Sequence, residues 1–384
     1  MKRLLTIIVI LFSLFLNTSI EYLLGFNKTI YVAILFMIFF IAINIFTQKM
    51  RFDKVAVYVI LLAFIIIGFK LAIGQDYITR MLIFLITPMF ISICFEYFTK
   101  KELTTLFRLI IIFFIAECGL SIIEWSLNRN FFVISDWHFE ILSGFVDEGN
   151  FRSSSLLGHP LSNAQIVAVF MTFIAVSNFK RKYIQIFLFF LGYVSLFCFG
   201  ARGATLVVTT FVIPYFIWKI NKTTQPSKKW IIKLSVFCML VGLIYGVTQT
   251  QLGGRLMNEK LMDDSAQTRL AVFQFYDFYQ TNDDFLWGRP EYAEYLLDIF
   301  GFPVENSVVA LILDFGIIFT IPILLLLFTF QYRKLSIYSK FEKWLLLSVF
   351  YMIGIMNPNL VLPVQWTMWI NACSAFRSLQ TENI

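Results

Sequence analysis

Residues 306–330, NSVVALILDFGIIFTIPILLLLFTF, run for 25 residues with Asp314 as the single charge. A bilayer core roughly 30 Å thick takes about 20 apolar residues in a helix, and lipid offers the backbone no hydrogen-bond partner. The stretch therefore reads as a membrane span. Comparable runs lie at 4–24, 28–47, 55–74, 81–98, 103–125, 158–177, 183–199, 203–220, 230–250, 343–357 and 360–376. The 384 residues are 59% hydrophobic and 14% charged, against about 25% charged in soluble domains. The expected fold is all-α, a polytopic membrane protein with about 12 transmembrane helices. No small-residue cleavage site follows the first run, which is expected to remain as an uncleaved span.

Basic residues collect in alternate loops: Lys49, Arg51 and Lys54; Lys100 and Lys101; Lys180, Arg181 and Lys182; Lys219, Lys222, Lys228 and Lys229; Arg333, Lys334, Lys340 and Lys343; Arg377. Such loops face the cytoplasm, which puts both termini there. The net charge of +7 reflects this bias, and no nucleic-acid partner is expected. Cys94, Cys118, Cys198, Cys238 and Cys373 all fall within spans, so they read as packing residues rather than a disulfide or zinc framework.

Two outer loops are long, 126–157 and 251–305, and loops of that length are usually functional or disordered. The second is rich in aromatics. AQTRLAVFQFYDFYQ (266–280) and EYAEYLLDIF (291–300) suit short surface helices that either cap the bundle or line a substrate cleft. No internal repeat or soluble domain interrupts the chain, so 1–384 reads as one membrane domain. No matching pair of broken helices is seen in two halves, which weighs against an inverted-repeat transporter.

Polar chemistry concentrates in a few places on the outer side. FRSSSLLGHP (151–160) places Arg152, three serines and His159 directly before an apolar run. Pro160 can start that helix and Gly158 can turn the chain into it. Arg202 sits between Gly200 and Gly203 at the junction of two spans. An arginine at the centre of a span costs roughly 2.5–3.5 kcal/mol on insertion scales, so it calls for a partner. An anion held at the start of the next helix would serve, and a snorkelling arginine in a plain hairpin is the other reading. Arg255, Arg269 and Arg289 in the large loop and Arg80 at another outer mouth face the same side. Each would attract a phosphate about 4 Å away by about 4 kcal/mol at an effective dielectric of 20, before desolvation.

Glu305 precedes Asn306 and Ser307 at the start of the 306–330 span. A carboxylate there reads either as an N-terminal cap or as a general base for a sugar hydroxyl. His159 reads as a base, a ligand contact or a cap. Among acidic residues within spans, Glu96, Glu117, Glu124 and Asp314 stand out. Glu117 and Asp314 would report a polar path or pair within the bundle.

Taken in order, FRSSSLLGHPLSNA (151–164), GARGA (200–204), LWGRP (286–290) and ENSVVALILDFGII (305–318) resemble the O-antigen polymerase and ligase superfamily of bacterial envelope glycosyltransferases. The resemblance covers about residues 120–330. It implies a GT-C-like membrane fold and inverting glycosyl transfer at the outer face of the cytoplasmic membrane. The donor and acceptor would be undecaprenyl-diphosphate-linked oligosaccharides, with membrane lipid and a chain-length regulator as partners. No metal or other cofactor is implied, because arginines neutralise the diphosphate.

Position by position, the resemblance makes Glu305 the catalytic base. Arg202, Arg269, Arg152 and Arg289 become diphosphate ligands, with His159, Asn306, Arg255 and Arg80 as weaker substrate contacts. Many ligases of the superfamily have histidine where this chain has Glu305, and GHPL in place of an asparagine after the proline also looks more like a Wzy-type polymerase of O-antigen or capsular polysaccharide. An O-antigen ligase and a flippase of the same lipid-linked sugar are the competing expectations.

Overall fold

A computed structural model describes residues 2–15, 29–47, 53–131, 151–223, 230, 282–289, 304 and 306–380. Every regular element among them is helical. In chain order these are α1 Lys2–Phe15, α2 Thr29–Thr47, α3 Lys54–Ala72, α4 Ile78–Glu96, α5 Lys100–Leu127, α6 Pro160–Val176, α7 Lys182–Cys198, α8 Arg202–Lys222, α9 Asn282–Trp287, α10 Ser307–Lys334, α11 Lys340–Ile355 and α12 Pro363–Gln380. Five of these, α3, α4, α5, α8 and α10, are long and apolar enough to cross a membrane; α1, α2, α6 and α7 contribute shorter apolar helices. Residues 231–250 of the expected run 230–250 and the two expected surface helices lie outside the described residues.

Local sequence fixes the helix ends. α5 begins at a capping box in which the Thr99 amide donates to Glu102 at 2.7 Å while the Glu102 amide donates to the Thr99 hydroxyl at 3.4 Å. Ser339 and Glu342 repeat the device at α11. Each box satisfies two amide groups that a helix start leaves without intrahelical partners. Two helices contain a π turn, α4 at Leu82–Ile86 and α8 at Val208–Val212.

The outer surface is apolar, and the largely apolar interior holds buried polar side chains. Phe46 is 89% exposed, and Leu35, Ile65, Ile112, Leu206 and Leu325 also present their side chains outward. Meanwhile Asn44, Gln165, Gln185, Gln331 and Asn371 are buried. Interior amides join helices through backbone carbonyls: Asn371 Nδ2 donates to Ser13 O at 2.6 Å, and Gln165 Nε2 to Phe350 O at 3.1 Å. A surface of this kind suits lipid, where packing and interhelical hydrogen bonds hold helices together without a hydrophobic drive between them. α6 is buried from Ser162 to Val176 and packs against α5, α7, α8, α11 and α12. It is the central helix.

Because successive helices alternate in direction, the lysine-rich turns around 100, 180 and 335–343 share one end of the bundle, called here the basic end. Lys334 there pairs with Glu96 and lies 3.8 Å from Asp53. The FRSSS loop, the GARGA turn and the start of α10 share the opposite end.

Candidate functional site

At the end opposite the basic turns, the tri-serine loop closes over two carboxylates of α5. Glu117 and Glu124 are seven residues apart, two helical turns, and so lie on one face. Both are buried. Glu124 Oε2 accepts from the Ser153 hydroxyl at 2.5 Å and from the Ser154 and Ser155 amides at 3.0 and 2.8 Å, and Oε1 accepts from the Phe131 amide at 2.8 Å. Glu117 Oε2 accepts from the Leu156 amide at 3.1 Å. The Ser155 hydroxyl donates to the Glu117 carbonyl at 2.9 Å, which accompanies the unusual positive φ of 41° at Ser155. The three serines therefore fasten the loop.

This predicts an order of effects. Glu124→Gln would turn an amide NH2 toward groups that are themselves donors, and hydrogen bonds to a charged acceptor contribute about 1.5–3 kcal/mol each. Thermal unfolding in a fixed detergent should show Glu124→Gln more destabilising than Glu117→Gln. Equal losses, or the reverse order, would contradict the cradle.

The fastened loop delivers Arg152 to the GARGA turn. The Ser153 amide donates to Cys198 O at 3.1 Å, and Arg152 Nε donates to Phe199 O at 3.1 Å. Gly200 has φ +59°, and a Cβ there would stand 3.4 Å from Arg152 Cγ, so a residue without a side chain suits both the turn and the crossing. Arg202 opens α8 two residues later, half-buried, where the helix start adds partial positive charge. The two arginine-bearing motifs are thus brought together. Next to them, a Cβ on Gly203 would lie 3.1 Å from Met356 Sδ.

Met356 begins a stretch that sequence reading passed over, MNPNL (356–360). Ser307 Oγ reaches Gly354 O at 2.7 Å and Asn357 O at 2.5 Å, and accepts from the Leu360 amide at 2.8 Å. The Ser162 hydroxyl meets Asn359 Oδ1 at 3.3 Å. The starts of α6, α8 and α10 are therefore gathered around the end of α11. The asparagines flanking Pro358 were the available signal, since polar residues beside proline within an apolar run mark a bend.

α10 holds the largest departure from expectation. The run read as one span is two helices joined at Gly316, which has φ 73° and ψ 163°. The break frees carbonyls that a continuous helix would use, and three of those before it find partners elsewhere: Thr320 Oγ1 donates to Leu311 O at 2.9 Å, the Arg289 amide to Leu313 O at 2.6 Å and the Tyr77 hydroxyl to Asp314 O at 2.6 Å. That exchange is what an interrupted helix at membrane depth requires. Leu286, Trp287 and Gly288 of the LWGRP motif fit against the break, with Gly288 facing Gly316 backbone to backbone.

Lys70 of α3, fully buried, closes the arrangement. Its ammonium donates to Trp287 O at 2.5 Å, Gly288 O at 2.9 Å and Gln75 Oε1 at 3.2 Å, and lies 4.7 Å from the Tyr77 ring centre. Arg80 ion-pairs with Asp314, whose side chain is 2% exposed. Lys70, Tyr77, Asp314, Gly316 and Asn357 are structural participants that sequence reading did not place in the site.

Of the residues expected to act on a ligand, Arg152, Arg202 and His159 lie at this end of the bundle, Arg152 and Arg202 in adjoining turns. His159 occupies the position before α6 but its side chain makes no capping hydrogen bond; Pro160 starts the helix and Gly158 turns the chain at φ 70° as expected. Asn306 is the cap of α10, with Oδ1 accepting from the Val308 and Val309 amides at 2.9 and 3.2 Å. Arg289 is exposed, and its amide ties it to α10. Arg80 is engaged by Asp314. Glu305, Arg255 and Arg269 lie outside the described residues.

Among the described cysteines, Cys94, Cys118, Cys198 and Cys373 are buried thiols. No family model, no curated protein and no solved structure matches this chain.

Proposed function

We propose that the chain is a membrane glycosyltransferase that polymerises undecaprenyl-diphosphate-linked repeat units into O-antigen or capsular polysaccharide at the outer face of a bacterial cytoplasmic membrane. In this reading it has twelve spans in a GT-C-like arrangement, with both termini cytoplasmic. One observation supports it above the others: the loop carrying Arg152 is fastened against the turn that leads into Arg202, opposite the basic end. Two guanidinium groups in adjoining turns, one at a helix start, suit a diphosphate.

The chemistry would run as follows. Glu305 accepts the proton of an acceptor hydroxyl, whose oxygen attacks the anomeric carbon of the donor sugar from the face opposite the leaving group. The bond from that carbon to the diphosphate oxygen breaks, and its electron pair leaves with undecaprenyl diphosphate. Arg152 and Arg202 neutralise the charge that builds there, with Arg269 and Arg289 completing the anion site from the large loop.

Arg202→Ala, at unchanged protein level, should leave single repeat units where wild-type cells make a ladder. Loss of a charged hydrogen bond worth about 2 kcal/mol slows elongation roughly 30-fold. A normal ladder would overturn the assignment. In a ligase, deletion of the gene would strand finished polymer on the carrier lipid instead.

A second reading draws on the broken α10. A discontinuous helix beside the buried Lys70 and Asp314, with Arg80 paired to the latter, is a feature of transporters, where it serves substrate or ions. Purified protein in vesicles separates the two readings. Longer products from lipid-linked repeat units alone support the polymerase, whereas movement of the lipid between leaflets without elongation supports transport.

A further inference from the structure

At the basic end, between α8 and the start of α11, the bundle holds a cavity of about 770 Å³. Its walls are aromatic, formed by Phe211, Tyr215, Trp218 and Phe341, and its charged lining is Lys219, Lys222 and Glu342. Phe211, Trp218 and Phe341 are 45%, 55% and 63% exposed. The cavity thus opens sideways, on the same apolar flank that α8 presents along its length.

The charges around it are not balanced. Lys219 Nζ meets Glu342 Oε1 at 2.6 Å and also reaches the Val176 carbonyl, and the Tyr215 hydroxyl donates to the same Glu342 oxygen at 2.6 Å. Glu342 therefore neutralises Lys219. Lys222 lies 5.1 Å from the Trp218 ring centre, beyond that pair, and gives the lining a net positive charge. Lys340 and Lys343 follow in the first turn of α11, and Lys182 begins α7 nearby.

We propose that this cavity binds one anionic glycerophospholipid from the leaflet at the basic end, with its phosphate at Lys222 and an acyl chain along the aromatic wall. The parts select for each other. A soluble phosphate has no use for four aromatic rings, and a zwitterionic lipid gains nothing net from an unbalanced lysine. Tyrosine and tryptophan are the residues that settle at headgroup depth, and basic pockets between helices at this level hold anionic headgroups. Such a site requires only that the bundle sits in a membrane, and it is independent of the glycosyltransferase reading.

Native mass spectrometry of the purified full chain, titrated with phosphatidylglycerol or with phosphatidylcholine of the same acyl chains, tests it. Wild-type protein should retain one phosphatidylglycerol in preference to phosphatidylcholine, and Lys222→Gln should weaken that binding about fivefold. Trp218→Leu keeps the charge and removes one aromatic wall, and it too should bind the lipid less well. Because both side chains lie at the rim of the cavity, neither change should prevent folding, which a matching thermal midpoint checks. Three results would each overturn the proposal: equal retention of the two lipids, Lys222→Gln binding like wild type, or displacement of the lipid by glycerol phosphate at equal concentration.

Discussion

Gly316→Ala is expected to cost more than about 3 kcal/mol and to remove most of the folded protein from a detergent extract. Two effects add. The backbone at φ 73° and ψ 163° lies in a region open in practice only to glycine, and forcing another residue there costs roughly 1–3 kcal/mol. A Cβ would also stand 2.5 Å from the carbonyl carbons of Leu286 and Trp287, so the end of α9 would have to move off α10. The control is Gly68→Ala. Gly68 sits within α3, where a Cβ would meet nothing within 4 Å, and there alanine should be neutral or stabilising by about 0.5–1 kcal/mol. Thermal unfolding of both variants in one detergent decides, and similar midpoints would mean that α10 is not broken as described.

Lys70→Met carries the next largest effect. The substitution removes three hydrogen bonds at once and leaves the Trp287 and Gly288 carbonyls buried, with Arg80 as the remaining cation beside Asp314. Taking one partner from a buried charged cluster costs about 3–5 kcal/mol, because the groups left behind stay desolvated. Asp314→Asn should cost less in the Lys70→Met background than in the wild type, with a coupling of about 0.5–3 kcal/mol. Additive losses would show that Lys70 holds α9 alone and does not sense Asp314.

These two residues show where sequence reading ends. Hydrophobic runs locate helices because the lipid requirement acts on every residue of a span. The run read as 103–125 is the helix Lys100–Leu127 and that read as 158–177 is Pro160–Val176. The extra turn of α5 comes from Thr99 and Glu102, polar residues outside the apolar run. A break such as that at Gly316 leaves no trace in hydropathy, since Phe315 and Ile317 are as apolar as any span requires. Lys70 was equally hidden, one cation inside an apolar run.

The site was legible in part for a related reason. Arg152 and Arg202 stand out by their cost in an apolar chain, and they do come together. What the serines do was not legible, because Glu124 binds the Ser154 and Ser155 amides, which every residue but proline possesses. Asn306 and Asn357 likewise act on backbone groups. Partners of that kind are set by the path of the chain, and no spacing rule reports them.

The π turn in α8 has a consequence for how this helix changes over time. A π turn accommodates one residue more than an α-helical path of the same length, and each residue advances the helix by about 100°. Val208–Val212 therefore takes up one residue between Arg202 at one end and Lys219 and Lys222 at the other. Deleting a single residue within it would close it to a plain α turn and leave both ends facing as they do, whereas a deletion elsewhere in α8 would swing Lys219 by about 100° away from Glu342 and Tyr215. The turn is thus the one place in this helix where a residue can be lost without re-aiming the arginine turn against the aromatic cavity.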